Sequence, residues 1–175
     1  MVTKIQMTER LFPELDTRAL AVLSASAFAA GHTAIAAISA SNAYVKFLDG
    51  MSALDEDKVP RKGRIAFVTP SFYAFIKQDS AFIKASEMGQ GMLVNGQVGE
   101  IDGCKIVMAP ASYFPANHAF IITNPTANAA PMQLETVKTF VDPPGVSGTL
   151  VEGRFIYDCF CLTSKQNANY RHLIA

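Results

Sequence analysis

Charged residues are scarce in this chain of 175 residues. They make up 17% of it, whereas about a quarter is usual for a soluble domain. The 15 basic and 15 acidic side chains also cancel. Without a basic excess or a basic stripe, nucleic acid is not expected as the main partner. Half of the residues are hydrophobic, and a neutral, apolar surface promotes association. The composition therefore predicts an oligomer, built from one domain or two small ones.

Long hydrophobic runs are also missing. The N-terminal residues, MVTKIQMTERLFPE, lack the apolar core of a signal peptide. The most apolar stretch, residues 19–40, consists mostly of alanine and serine and is interrupted by Gly31 and His32. A membrane span needs about 20 strongly apolar residues. We therefore expect no membrane partner and synthesis in the cytoplasm.

Cysteine and histidine are few, and their spacing matches no common zinc site. Cys104, Cys159 and Cys161 form no disulfide framework. Cys159 and Cys161 alternate along a predicted strand with apolar neighbours, so we interpret them as a buried pair of small hydrophobic side chains. The alternative is a reactive thiol, which needs an electropositive and partly exposed setting. His118, beside Asn117, is predicted to lie in an exposed turn.

Motifs for phosphate or calcium binding are incomplete. The glycine-rich residues 89–103 lack the closing Gly-Lys-Ser/Thr of a Walker loop and the third glycine of a dinucleotide loop. We interpret Gly96 and Gly99 as turn residues. The cluster at residues 55–57 (Asp-Glu-Asp) lacks the alternating ligands of a calcium loop and is interpreted as a solvated helix end. The sequence therefore predicts no catalytic residue, no cofactor-binding residue and no metal ligand, and hence no enzyme.

Two helical patterns precede residue 60. Residues 15–30 carry apolar side chains at helical spacing, with Asp16 or Thr17 as the expected cap and Gly31 as the expected end. A second helix is predicted over residues 42–54, capped by Ser41. Its apolar face would consist of Tyr44, Phe47, Leu48, Met51 and Leu54. The pattern does not decide the secondary structure of residues 33–40.

Beyond Pro60 the pattern becomes a mixture of α-helix and β-strand. Pro70 suits the first turn of a short helix, and Asp102-Gly103 is a strong hairpin signal. The last predicted strand, of about 14 residues, is long for a compact domain, and Gly153 is placed to bend it. The predicted strands cover residues 65–69, 97–101, 104–109, 120–123, 133–141 and 149–162.

The order of the motifs between residues 59 and 107 is similar to that in a known family of proteins. VPRKGRIAFVTP (59–70) is followed by the short helical run and then by NGQVGEIDGCKIV (95–107). This arrangement resembles the major capsid proteins of tailed bacteriophages, which have the Hong Kong 97-type fold. Residues 41–60 and 151–170 extend the likeness to about two-thirds of the chain. The matching positions are Val59, Pro60, Gly63, Arg64, Thr69, Pro70, Tyr73, Asn95, Gly96, Gly99, Ile101 and Gly103.

The resemblance implies an α+β fold in two parts. A peripheral-type domain with a long helix and a long-stranded sheet would comprise residues 1–63 and 132–175. A mixed α/β axial-type domain would comprise residues 64–131. The implied function is that of a structural subunit of an icosahedral phage capsid, which self-assembles into the shell enclosing viral DNA. Its expected location is the virion, after synthesis in the cytoplasm of the bacterial host.

The implied partners are copies of the chain in capsomer hexamers and pentamers, scaffold and portal proteins, and packaged DNA through non-specific contacts. Family members usually carry a long N-terminal arm and an extended loop, for which this sequence has little room. We therefore interpret the chain as a domain-length form, a degraded prophage gene product or a divergent short form, and expect that it does not close regular shells alone. Two alternatives stay open: an encapsulin-type nanocompartment shell protein and, in a different class, a small cysteine- or metal-dependent enzyme.

Overall fold

Three α-helices lie within the part of the chain that the computed structural model describes, namely residue 5 and residues 7–78, 97–141, 143–145 and 147–175. They are α1 (Phe12–Ala29), α2 (Ala43–Glu56) and α3 (Pro70–Gln78). A π-helical turn, Met7–Leu11, leads into α1. All three helices were predicted, and Pro70 begins α3 as expected.

The helix caps differ from the prediction. Pro13 lies in the first turn of α1, where its missing N–H is not needed, so the helix begins before Asp16 and Thr17, which are both internal. Gly31 follows the end of α1 with a φ of +78°, the left-handed conformation that glycine favours there. Ser41 does not cap α2, because Asn42 occupies that position and makes no side-chain cap hydrogen bond.

A mixed six-stranded sheet forms the centre of the molecule. Its strands are β1 (Thr33–Ile35), β2 (Ile65–Val68), β3 (Gln97–Ile101), β4 (Cys104–Met108), β5 (His118–Thr123) and β10 (Asn169–Leu173). They lie in the order β1-β10-β5-β2-β4-β3. The pairs β1–β10 and β2–β4 are parallel, and the other neighbours are antiparallel. β3 and β4 form the predicted hairpin, with positive φ at both Asp102 and Gly103.

Helices cover both faces of this sheet. Phe120 and Ile122 of β5 pack in the cluster that includes Phe47 of α2 and Phe72 of α3. Ile121, between them, packs against Leu20 and Leu23 of α1. Every residue of β5 is therefore buried, as expected for a strand enclosed on both sides.

The remaining strands lie outside this sheet. β7 (Met132–Val141) and β8 (Thr149–Tyr157) pair antiparallel as a two-stranded ribbon. β6 (Asn128–Ala129) pairs with β9 (Phe160–Cys161). The single strand predicted over residues 149–162 was wrong, because the chain leaves the ribbon at Asp158, whose side chain accepts a hydrogen bond from the Cys159 N–H at 2.8 Å.

The six-stranded sheet takes strands from both of the predicted domain ranges. β1 and β10 come from the range predicted as peripheral, and β2 to β5 come from the range predicted as axial. The ribbon β7–β8 has a sheet of its own and is joined to the rest of the chain at Pro131 and Asp158. Gly99, which the sequence predicted as a turn residue, lies instead within β3, beside an irregularity in its register with β4. The other predicted turn residue, Gly96, lies outside the described residues, as do Asn95 and the glycines at 89 and 91.

Candidate assembly surfaces

The three cysteines are buried or half-buried. Cys104 is fully buried on β4, and this burial raises the pKa of its thiol to about 12. Cys159 is buried and Cys161 half-buried. The predicted pairing of the last two on one strand was wrong, because Cys159 lies between β8 and β9. In the described part of the chain, no three His, Cys, Asp or Glu side chains converge as a metal site requires.

His118 is buried, which corrects the predicted exposed turn. Its Nδ1 lies 2.9 Å from the Pro115 carbonyl oxygen and 3.0 Å from that of Ala116. Because carbonyls only accept hydrogen bonds, Nδ1 carries the proton. Nε2 then accepts a hydrogen bond from the Ser24 hydroxyl at 2.7 Å. Burial lowers the pKa of His118 below its ordinary value.

The Ser24–His118 pair has the atoms of a nucleophile and its base, and sequence order did not reveal it. Ser24 is 3% exposed and His118 is 7% exposed, so a substrate has no access to either. Arg171 also donates a hydrogen bond to the Ser24 hydroxyl at 3.0 Å. The pair therefore ties α1 to β5 and β10. The only signal in the sequence is a serine on the apolar face of a helix.

Arg64, one of the residues that carry the resemblance, is the centre of a buried polar cluster. It is fully buried, and its guanidinium donates to the carboxylate of Asp55 at 2.8 Å and the carbonyl of Val59 at 2.6 Å. Weaker hydrogen bonds reach the carbonyls of Met51 and Pro60 at 3.3 and 3.2 Å. One side chain thus joins the end of α2, the following loop and the start of β2.

The acidic cluster after α2 is only partly the solvated helix end that the sequence predicted. Glu56 is exposed, but Asp55 is bound by Arg64 and Arg61. The hydrogen bond from Arg61, together with that from Arg64, holds the pKa of Asp55 below its ordinary value. The carboxylate of Asp57 lies 3.0 Å from the ring of His32. These pairs hold the loop after α2 in place.

The ribbon is the most exposed apolar feature of the described structure. At its free end, Val141 is 77% exposed, and Phe140 and Leu150, which pair across the strands, are 41% and 42% exposed. At its attached end, the Tyr157 hydroxyl donates to the Glu14 carboxylate at 2.7 Å. Asp158 there lies 3.8 Å from Arg18. The ribbon is therefore fixed to α1 at one end and uncovered at the other.

The ribbon carries apolar side chains on both faces. Phe140, Leu150 and Ile156 share a face with the charged pair Lys138 and Glu152. Val141, Val151, Phe155, Tyr157 and Met132 alternate with them on the opposite face. Gly153 accommodates the Phe155 ring, which would lie 3.0 Å from a Cβ at that position. Two strands alone are marginally stable in water, and a contiguous exposed apolar patch marks an interaction site.

An open apolar cavity of about 200 Å³ lies at the attached end of the ribbon. Its walls come from Ala19, Val22 and Leu23 of α1, from β2, and from the residues on either side of the ribbon, which include Ala129 and Cys159. Small-molecule sites are usually larger, about 300–1,000 Å³. The volume is closer to the roughly 150 Å³ of an apolar cavity that accepts benzene. The cavity therefore fits one or two apolar side chains better than a cofactor.

Solved structures with the same arrangement come from bacteriophages. The capsid structure of the cyanophage P-SCSP1u aligns with 99% of this chain at a TM-score of 0.78 and 14% identity. The chain has a phage capsid fold. A structure from Mycobacterium phage Che8 aligns with 98% of the chain at a TM-score of 0.61, and the mature capsid of bacteriophage PhiM1 with 82% at 0.62, both at 14% identity.

This chain spans between about half and two-thirds of those capsid-fold chains, namely 65%, 59% and 51% of their lengths. No protein-family profile and no curated protein sequence matches it. The predicted α+β class and the likeness to phage capsid proteins are confirmed at the level of fold. The Hong Kong 97 type and the prophage origin stay predictions. None of the helices in the described residues is both long and apolar enough to cross a membrane.

Proposed function

We propose that this chain is a structural subunit of a phage capsid, whose task is to bind copies of itself. The observation that carries the proposal is the match of nearly the whole chain to a cyanophage capsid structure at a TM-score of 0.78. The uncovered apolar ribbon supports it, because such a surface is stabilised when another molecule covers it. The absence of net charge limits repulsion among many copies.

The finer parts of the proposal follow from the resemblance. The copies would form capsomer hexamers and pentamers in the virion, after synthesis in the host cytoplasm. Scaffold and portal proteins, and non-specific contacts with packaged DNA, would complete the list of partners. Residues 64–131 would belong to an axial-type domain, and residues 1–63 and 132–175 to a peripheral-type domain, of which the ribbon is the part that stands apart from the central sheet.

Sedimentation velocity and light scattering over a wide range of protein concentration test the proposal. A capsid subunit is expected to associate as its concentration rises. Electron microscopy then shows whether the assemblies are regular, and we expect that this chain alone does not close regular shells. A chain that stays monomeric at every concentration would contradict the proposed function.

Thiol labelling of the native protein tests the enzyme alternative. Burial raises the pKa of Cys104 and Cys159, and the thiolate is the reactive form. Cys104 is therefore expected to stay unreactive until the protein unfolds, and Cys159, which lines an open cavity, is expected to be accessible but to react only as slowly as an unactivated thiol. Rapid and selective modification of one of them would favour a cysteine-dependent enzyme. Nothing in the described geometry favours the nanocompartment alternative over a capsid.

A further inference from the structure

Two uncovered apolar features of the described structure lie at opposite ends of the ribbon. The first is the ribbon tip, defined as Phe140, Val141, Thr149 and Leu150. The second is the root cavity, defined as the open apolar cavity between α1, β2 and the two chain segments at the attached end of the ribbon. Each strand rises about 3.3 Å per residue, so the tip lies about 25 Å beyond the root.

The ribbon tip is too far away to enter the root cavity of its own chain. The ribbon is paired from Met132 and Tyr157 to Val141 and Thr149, with one shift of register between residues 134 and 136. Tyr157 and Asp158 hold its attached end against α1. A paired ribbon cannot fold its far end back onto its own base without breaking these pairs. The two features can meet only between different molecules.

The tip and the cavity match in chemistry and in size. The three residues of each strand nearest the turn, 139–141 and 149–151, are uncharged. The cavity walls are mostly alanine, branched aliphatic and aromatic side chains, together with Pro125, Cys159 and the polar residues Thr123 and Asn128. A volume of about 200 Å³ is enough for a benzene-sized group, such as the Phe140 ring or the Val141 side chain with a neighbour.

We infer that the ribbon tip of one copy packs over the root cavity of a second copy of this chain, so that one or two of its apolar side chains enter the cavity. This inference rests on the proposed self-association and assigns the surfaces that perform it. Every copy then offers a tip and receives one, so the contact is head-to-tail. Such contacts close into rings when the rotation between copies allows it and otherwise give open chains. Burial of the exposed apolar side chains stabilises the contact.

Disulfide trapping tests the contact, because the root cavity already contains a thiol. In Val141→Cys, mild oxidation is expected to join the new thiol to Cys159 of another copy. A head-to-tail contact extends this link into a ladder of covalent oligomers beyond the dimer, and mass spectrometry should identify the 141–159 peptide pair. The double variant Val141→Cys/Cys159→Ala should lose the ladder. Glu152→Cys, in the middle of the same ribbon, is the matched control that should not form it.

Two further variants test the contact without an introduced thiol. Val141→Asp places a charge on the tip, and Ala129→Phe fills the root cavity. Each is expected to weaken self-association at least tenfold while circular dichroism and the melting temperature stay close to those of the wild type. Val151→Asp, which lies farther from the tip on the same face as Val141, should have a smaller effect.

The outcomes separate this inference from the proposed function. If the wild type associates but no 141–159 link forms and both variants associate normally, the inference is wrong and the proposed function stands. Covalent dimers alone, joined through the introduced thiols at position 141 of both copies, would show a tip-to-tip contact and also overturn it. If the wild type stays monomeric at all concentrations, the proposed function and the inference are both wrong.

Discussion

At the scale of single residues, the structure gives Arg64 a role that its motif did not reveal. The pair Gly63-Arg64 reads as a turn before a strand, and Gly63 does have a φ of +82°. The guanidinium, however, points inward and satisfies one carboxylate and three backbone carbonyls. Buried polar groups that lose their partners are costly. The stability of the loop between α2 and β2 therefore depends on this side chain.

Arg64→Met should lower the free energy of unfolding by more than about 2 kcal/mol, because it leaves buried carbonyls and Asp55 without their donor. The midpoint of urea denaturation measures the loss. Arg61→Met is the matched control, since Arg61 binds the same carboxylate but has a side chain that is 60% exposed. Its effect should be much smaller. Equal effects of the two substitutions would contradict the assigned role of Arg64.

His118 makes stability depend on pH. Burial lowers its pKa below the ordinary value of 6.5, although hydrogen bonds to the carbonyls of Ala116 and Pro115 favour the charged ring. The unfolded chain then binds the proton more readily than the folded one, so stability is complete above about pH 6.5 and is lost as the pH falls. Burial lowers the pKa of His172 as well.

Urea denaturation at about pH 8 and about pH 5 checks this dependence. The wild type should unfold at a lower urea concentration at the acidic pH. In His118→Gln the difference between the two midpoints should shrink, and in His118→Gln/His172→Gln it should shrink further. A difference that persists unchanged in the double variant would assign the pH dependence to other groups.

At the scale of elements, the contact between α2 and β10 depends on Gly50. A Cβ at this position would lie 2.7 Å from the Tyr170 ring and 3.1 Å from Ile122 Cδ1. Tyr170 is itself buried and stacked near Phe120, with 6.1 Å between the ring centroids. The ring therefore has little room to move. The periodicity of α2 predicted a helix here, but not the closeness of the strand beneath it.

Gly50→Ala should destabilise the protein by about 1–3 kcal/mol through overpacking. In a solvent-exposed helix the same change would stabilise the protein by roughly 0.5–1 kcal/mol. The sign of the change in stability therefore shows whether the Tyr170 ring blocks a Cβ at position 50. Thermal or urea denaturation measures it. Ser52→Ala, on the exposed side of the same helix, should be neutral or slightly stabilising. A stabilising Gly50→Ala would show that the Tyr170 ring can move away.

The ribbon is the element least connected to the core. The N–H of Asp158 donates to the Pro131 carbonyl at 3.2 Å, so the two ends of the ribbon lie side by side. Replacing residues 132–157 with a short glycine–serine linker should therefore leave the central sheet folded, with a melting temperature within about 4 °C of the wild type, or roughly 1 kcal/mol. The same variant should remain monomeric in sedimentation velocity. An unfolded variant would show that the ribbon stabilises the body.

At the scale of the whole molecule, apolar contact rather than charge should drive association. The formal net charge is zero, and the exposed surfaces proposed to meet are uncharged. Raising the salt concentration screens exposed charges beyond a few ångströms but leaves apolar burial in place. Self-association measured by sedimentation velocity at about 0.1 M and about 1 M NaCl should therefore stay constant or become stronger at high salt. Dissociation at high salt would instead indicate an interface held by ion pairs.

Local patterns in the sequence were enough to predict much of the fold. Helical spacing predicted α1 and α2, Pro70 predicted the start of α3, and Asp102-Gly103 predicted the β3–β4 hairpin. Each of these signals depends on neighbours within a few residues, through backbone conformation or side-chain period. The order of the motifs added the likeness to phage capsid proteins, and the fold confirms it.

Contacts between distant residues could be decided only by the tertiary structure. His118 meets Ser24, which lies 94 positions earlier, and a polar neighbour such as Asn117 indicates nothing about that burial. The break between β8 and β9 depends on β9 pairing with β6 instead of continuing the ribbon. The root cavity exists only because α1, β2 and both ends of the ribbon meet there. The sequence alone determined the helices, the β3–β4 hairpin and most of the strands, because these follow from local propensity and pattern, and the order of its motifs indicated the class of fold. It did not predict β1 or β10, which are strands through their pairing with each other and, for β10, with β5. The tertiary structure decided which polar groups are buried and which apolar ones are left uncovered, because those depend on how the elements pack.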